Sequence, residues 1–205
     1  KGVSIRQGFG MTECGPNCFS LSEKDAETKI GSIGRPNFYV QTRIVDDENR
    51  DVQADQVGEL LLKGPMCMTE YWHNPEATHS SFFEGWLRTG DLLKKYDYYY
   101  FFVVGRKKEM FISGGENVYP AEVEKVISKH PEVAEVAVLG VEDPQWGEVG
   151  RAFVVTNEKK PLEPTALVQF CRDHIASYKI PKQFDFLDSL PKGDSGKILK
   201  KELKN

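Results

Sequence analysis

Residues 105–124, GRKKEMFISGGENVYPAEVE, constrain this chain more than any other stretch. Gly105, Arg106, Lys107 and Lys108 make a cationic turn directly after the most aromatic run of the sequence. Gly114 and Gly115 let the backbone take positive φ and approach something bulky. Pro120 then presets φ for a first helical turn, and Glu122 and Glu124 sit where a helix N-terminus favours negative charge. From there Val123, Val126 and Ile127 recur at helical spacing, and Pro131 ends the pattern. The chain therefore needs a β-rich part before this stretch and a helix-containing part after it, with a boundary near residues 106–108. A plain hairpin leading into a helix accounts for the stretch as well as a ligand-facing loop does.

Before the boundary, residues 3–10 read as a buried strand entering a tight loop, QGFGMTE, at residues 7–13. Gly8 and Gly10 flank the Phe9 ring, and Thr12 and Glu13 follow. Such a loop can offer a flat ring to a base, a hydroxyl to a phosphate and an oxygen ligand to Mg²⁺; a strand end with Phe9 packed in the core has the same sequence. Residues 31–36 read as loop, 40–45 and 58–63 as strands, and 74–81 as one or two helical turns. Short strands with turns between them predict an antiparallel sheet or small barrel. Trp86 to Asp91, WLRTGD, places a carboxylate after a glycine turn. That suits a two-pronged grip on vicinal hydroxyls, and equally an ordinary turn aspartate. Residues 96–104 predict a strand pair with a hairpin near Asp97 and Tyr98.

After the boundary, strands are expected at 133–141 and 151–156, paired antiparallel. A loop is expected from 143 to 150, a second helix over 164–174, a last strand at 183–187 and a short amphipathic helix at 198–204. The segment PKGDSGK, residues 191–197, delivers Lys197 on a glycine loop. It lacks the spacing of a P-loop, and a solvated tail explains it as simply as an ammonium delivered to a developing negative charge.

Composition bounds the function. The chain has 205 residues, a net charge of −4 and no apolar run long enough for a membrane span, so neither a general nucleic-acid binder nor a membrane-spanning protein is expected. The cysteines, Cys14, Cys18, Cys67 and Cys171, have the spacing of neither a disulfide framework nor a zinc site, which suggests a reduced, cytoplasmic setting. Lys1 in place of Met and an apolar start suggest a piece of a longer polypeptide.

Taken in order, four motifs resemble those of the adenylate-forming superfamily: acyl-CoA synthetases, firefly-type luciferases and the adenylation domains of peptide synthetases. Residues 7–13 resemble Q-G-Y-G-x-T-E, 86–91 resemble W-x-x-T-G-D, 105–124 resemble G-R-x-K-x-x-I-x-x-G-G-E-N-x-x-P-x-E-x-E, and 191–197 resemble P-K-T-x-x-G-K. The resemblance implies an α+β chain: residues 1–105 as the end of the large AMP-binding domain with a small antiparallel β-barrel, and 106–205 as a mobile C-terminal lid domain. It implies ATP, Mg²⁺ and coenzyme A as co-reactants, a small-molecule carboxylic acid as substrate, and a phosphate loop lying upstream of residue 1. It assigns Phe9, beside Gly8, to adenine, Thr12 to the α-phosphate, Glu13 to Mg²⁺, Asp91 to the ribose hydroxyls, Val103 to the nucleoside and Arg106 to ribose or phosphate. Lys108 falls at the family's hinge, and Lys197 at its adenylation lysine. Gly114, Gly115 and Glu116 fall where the family lines its pantetheine tunnel. Three departures stand out: Phe9 for tyrosine, Gly193 for threonine, and Tyr98 where a hairpin glycine is common. The expectation is the C-terminal portion of a fatty-acid–CoA ligase. An aryl-acid ligase or adenylation domain, or a non-catalytic nucleotide- or CoA-binding module, is the alternative.

Overall fold

A computed structural model describes residues 6–96, 99–157 and 162–204. Its contacts divide the chain between Lys107 and Lys108 into two compact units, each of mixed α and β structure.

The N-terminal unit runs β1 (Gly8–Met11), β2 (Gly15–Ser20), α1 (Glu23–Ala26), β3 (Ser32–Pro36), β4 (Gln41–Val45), β5 (Gly58–Lys63), α2 (Pro75–Ser80), β6 (Phe82–Phe83), β7 (Trp86–Tyr96) and β8 (Tyr100–Arg106). The strands form one antiparallel sheet in the order β1-β2-β3-β8-β7-β5-β4, with β6 on β7. Among the described residues no pairing joins β1 to β4, so the sheet is an open path and not a closed barrel. Leu60, Leu61 and Leu62 of β5 are all buried, which explains why this strand reads as an apolar run and not an alternation. Phe19, Leu87, Leu93 and Phe101 fill the core around Leu60 and Leu62.

Two stretches expected as loop or turn are strand. In β3, Gly34 has φ 89°, and a Cβ there would overlap the backbone carbonyl of Ser20. The glycine that looked like loop punctuation lets two backbones meet. Ser32 supports it: its Oγ donates to the Phe101 carbonyl at 2.9 Å and accepts from the Gly34 N–H at 2.9 Å. The WLRTGD stretch lies inside β7. There β5 pairs Glu59 with Leu92 but Leu61 with Arg88, so β7 bulges between them. The expected strand start at Val3 and the expected hairpin at Asp97 and Tyr98 lie outside the described residues.

The C-terminal unit contains β9 (Phe111–Ser113), β10 (Glu116–Val118), α3 (Pro120–Ile127), β11 (Val133–Asp143), β12 (Gly147–Thr156), α4 (Pro164–Arg172) and β13 (Gln183–Phe186). Its sheet has the order β10-β9-β12-β11, with β13 parallel to β12. Period two sends Val136 and Val138 to the face covered by α3 and α4, and Ala137 and Leu139 to the face covered by Leu190 and Leu203. The loop expected over 143–150 shrinks to residues 144–146, because β11 and β12 pair as far as Asp143 and Gly147. The expected terminal helix is a 3₁₀ turn, Lys200–Leu203.

Candidate active site

Within the N-terminal unit, a cavity of about 690 Å³ is lined by Gly8, Phe9, Ile33, Asp91, Val103 and Arg106, among others. Four residues singled out from three separate motifs thus share one wall with Val103. Phe9 meets both readings of its motif: one edge packs on Phe19, with centroids 5.7 Å apart at 80°, while the half-buried ring still lines the cavity. Val103, 43% exposed on β8, offers an apolar patch beside it.

Asp91 is where the β7 bulge matters. Gly90 takes φ 70°, a conformation that costs a side-chain-bearing residue. Thr89 repairs the interrupted ladder: its Oγ1 donates to the Leu60 carbonyl at 2.8 Å and accepts from the Asp91 N–H at 3.1 Å. Asp91 follows with only 5% of its surface exposed. Arg106 stands directly opposite it on β8, and Arg106 Nε lies 2.7 Å from Asp91 Oδ1. A fixed carboxylate backed by a guanidinium can accept from hydroxyls on its cavity side without being an uncompensated buried charge.

Thr12 and Glu13 do not line this cavity. They occupy a 3₁₀ turn after β1, Thr12–Cys14, where Thr12 is exposed and Glu13 half-buried. The Tyr71 hydroxyl donates to Glu13 Oε1 at 2.8 Å, and this hydrogen bond, with burial, raises the tyrosine's pKa. Among the described residues no cluster of three His, Cys, Asp or Glu can hold a metal alone. Mg²⁺ commonly takes one or two carboxylates, with phosphate oxygens and water completing its shell, so Glu13, whose Oε2 accepts no hydrogen bond among the described residues, fits such a role. Tyr71 was missed from the sequence: nothing near it in the chain signals a partner in another motif.

The remaining residues lie in the C-terminal unit. Gly114 and Gly115, φ 60° and 87°, make the two-residue turn joining β9 to β10. A Cβ at Gly114 would come within 2.9 Å of the Trp146 ring, and the Gly114 N–H donates to the Trp146 carbonyl at 2.9 Å. Glu116 is exposed at the start of β10. Lys108 is exposed in the 3₁₀ turn Lys107–Glu109. Lys197 is exposed, yet its loop is not a loose tail. The Gly193 N–H donates to the Lys197 carbonyl at 3.0 Å, the Leu199 N–H to the Pro191 carbonyl at 2.8 Å, and Lys192 bridges to Ile198 as a short strand pair. At Gly193 a Cβ would rest 3.4 Å from Leu199, an ordinary contact, so the loop has room for a side chain there.

The AMP-binding enzyme family matches residues 1–72, and the AMP-binding enzyme C-terminal domain matches residues 122–197. The chain belongs to the AMP-binding, adenylate-forming superfamily. It is 42% identical over 204 residues to a feruloyl-CoA synthase of Amycolatopsis sp, covering 100% of this chain and 42% of that protein. It is 41% identical to a long-chain-fatty-acid–CoA ligase of Salmonella typhimurium, covering 100% of this chain and 36% of that protein. The solved o-succinylbenzoate CoA synthetase of Bacillus subtilis, in complex with its acyl-adenylate intermediate, superposes with a TM-score of 0.94 at 40% identity, over 100% of this chain and 42% of that one. The chain thus spans about two fifths of the length of the superfamily members it matches. Among the described residues no helix is long and apolar enough to cross a membrane.

Proposed function

We propose that this chain is the C-terminal portion of an ATP-dependent acyl-CoA synthetase, which joins a carboxylic acid to AMP and then transfers the acyl group to coenzyme A. The observation that carries the reading is the Asp91–Arg106 pair in a cavity shared with Phe9, in a chain of this superfamily. Residues 1–105 then form the end of the large domain, and 106–205 a C-terminal domain that turns about Lys108 between the two half-reactions.

In this reading Phe9 and Val103 hold the adenine and its sugar by stacking and apolar contact. Asp91 accepts from both ribose hydroxyls, and Arg106 neutralises Asp91 and donates to ribose or phosphate. Thr12 donates to the α-phosphate, and Glu13, steadied by Tyr71, would hold Mg²⁺. Bound Mg²⁺ neutralises phosphate charge. Lys197 donates from its ammonium to the oxygens that gain charge as the carboxylate meets the α-phosphate. Gly114, Gly115 and Glu116 line the passage for the thiol in the second half-reaction, where a side chain at either glycine would crowd the pantetheine arm. A cytoplasmic setting accords with two thiol-bearing partners, coenzyme A and a chain with free cysteines.

The acid is a finer matter. A fatty acid is the expectation from sequence, but relatives of nearly equal identity are named for a long-chain fatty acid and for the aromatic feruloyl group. Pyrophosphate release by the longer polypeptide, assayed across a panel of fatty and aromatic acids, tests both levels. Release with fatty acids supports the full reading, release only with aromatic acids corrects the acid, and nucleotide binding without release from any acid favours a non-catalytic binding module.

A further inference from the structure

Lys108 is flanked by two residues tied down in opposite directions along the chain. Before it, Lys107 Nζ lies 2.8 Å from Asp47 Oδ1 and 3.4 Å from Glu59 Oε2. Glu59 is 5% exposed and is also held by Arg88 at 2.7 Å, so this anchor belongs to the body of the N-terminal unit. After it, Glu109 Oε2 lies 2.7 Å from Lys200 Nζ, and the same ammonium lies 2.8 Å from Glu124 Oε1 on α3. Glu124 Oε1 in turn accepts from the Val138 N–H of β11 at 2.8 Å. This second anchor belongs to the body of the C-terminal unit. Lys108 itself is exposed and makes no ion pair among the described residues.

We propose that Lys107 and Lys200 are positioning residues: their opposed anchors confine rotation between the two halves of the enzyme to the backbone of Lys108, and the Lys200 anchor also fixes the root of the loop that carries Lys197. The proposal rests on the two-step reading above, in which the C-terminal domain turns.

A hinge needs one or two residues whose φ and ψ change while their neighbours hold still. Rotation at Lys107 would part its ammonium from the buried Glu59, and rotation at Glu109 would part its carboxylate from the partly buried Lys200. Burial works against the Lys200 ammonium, yet Glu124 and Glu109 more than offset it and raise its pKa. The same balance, burial against Asp47 and Glu59, raises that of Lys107. Lys200 opens the 3₁₀ turn three residues after Lys197, and Leu203 of that turn is buried against Leu139 and Phe153. Through this short connection the hinge-side carboxylate and the lysine loop share one cation.

Hydrogen exchange on the 205-residue chain tests this without nucleotide, acid or coenzyme A. Its outcome is therefore independent of whether the ligase reading holds: absent adenylation chemistry leaves the anchors measurable, and absent anchors leave the chemistry standing. In Lys200→Met, amides of residues 109–111 and of 193–199 are expected to exchange at least about tenfold faster together. Those of β11 and of the N-terminal sheet stay unchanged, and Lys200→Arg restores protection. Lys107→Met loosens residues 105–107 and leaves 193–199 alone. Where Lys200→Met fails to fold, Glu109→Gln replaces it, since that variant keeps the Lys200–Glu124 pair and still frees the hinge side. Unchanged exchange at 109–111 in these variants overturns the proposal. So does loosening of the whole C-terminal unit at once, which marks Lys200 as a general stabiliser.

Discussion

Asp91 and Lys197 carry the opposite charges on which the proposed chemistry depends, and the protein treats them in opposite ways. Asp91 is buried, faces its counter-ion across a strand pair, and is aimed by a bulge that Thr89 and Gly90 build into β7. Lys197 is exposed, makes no ion pair among the described residues, and sits on a loop held by backbone hydrogen bonds and by Lys192 on Glu135. A carboxylate that must read the same sugar throughout a catalytic cycle gains from being fixed in advance. A cation needed for one step only, and moved away for the next, must not be committed to a partner at home. On the proposed reading, the difference separates a binding wall from a delivered group.

The largest expected effect tests the delivered group. In the longer polypeptide, Lys197→Ala should slow adenylate formation by about 10²–10³-fold, the usual cost of one lost electrostatic contact to a developing oxyanion. Conversion of supplied acyl-adenylate and coenzyme A into acyl-CoA should continue near its normal rate. Single-turnover assays of the two half-reactions separate these outcomes. Equal slowing of both steps with unchanged thermal melting breaks the comparison, because Lys197 would then serve the whole cycle as Asp91 does.

The next effect tests the wall. Asp91→Asn keeps the shape and removes the charge, leaving Arg106 without its counter-ion. Hydrogen bonds to charged groups are worth about 1.5–3 kcal/mol, so AMP affinity should fall by about 10–100-fold. Calorimetric titration of wild type and variant measures it, and 2′-deoxy-AMP supplies the control. Binding of the deoxy nucleotide should suffer less from the substitution, since one hydroxyl of the grip is already gone. Equal losses for both nucleotides would place Asp91 away from the ribose.

How far each half could be read beforehand follows from the same contrast. Lys197, the Gly114–Gly115 turn and the helix after Pro120 are local features, and local sequence signals them. The cavity wall is non-local: Asp91 meets Arg106 through strand register, and Glu13 meets Tyr71 across 58 residues of chain. Gly8, Phe9, Asp91, Val103 and Arg106 are named through a family resemblance, while Ile33 and Tyr71 are not. The strand β3 was misread because its glycine signals a loop, whereas the structure uses it for close backbone approach to Ser20. The Lys200 anchor lies in a stretch whose sequence signals only a short amphipathic helix, since nothing in a run of lysines tells which one turns inward.

The smallest effect asks whether the C-terminal unit is a firm body beneath its exposed loop, as delivery of Lys197 requires. Cys171 on α4 is fully buried, and burial pushes its thiol from 9.0 up to about 11. A folded pKa above the unfolded one contributes stability that is complete below pH 9 and is lost as pH rises through about 11. By pH 10 the loss should reach about 1.4 kcal/mol, one pKa unit's worth. Lysines and tyrosines titrate over the same range, so the measurement is a difference: urea midpoints of wild type and Cys171→Ala, under reducing conditions, from pH 7 to 11. Below pH 9 the two should differ by a constant, the cost of the cavity left by the smaller side chain. Above it the gap should narrow, because only the wild type has a thiolate to expel from its core. A gap that stays flat to pH 11 would mean that water already reaches Cys171, and that the unit carrying Lys197 is looser than its buried core implies.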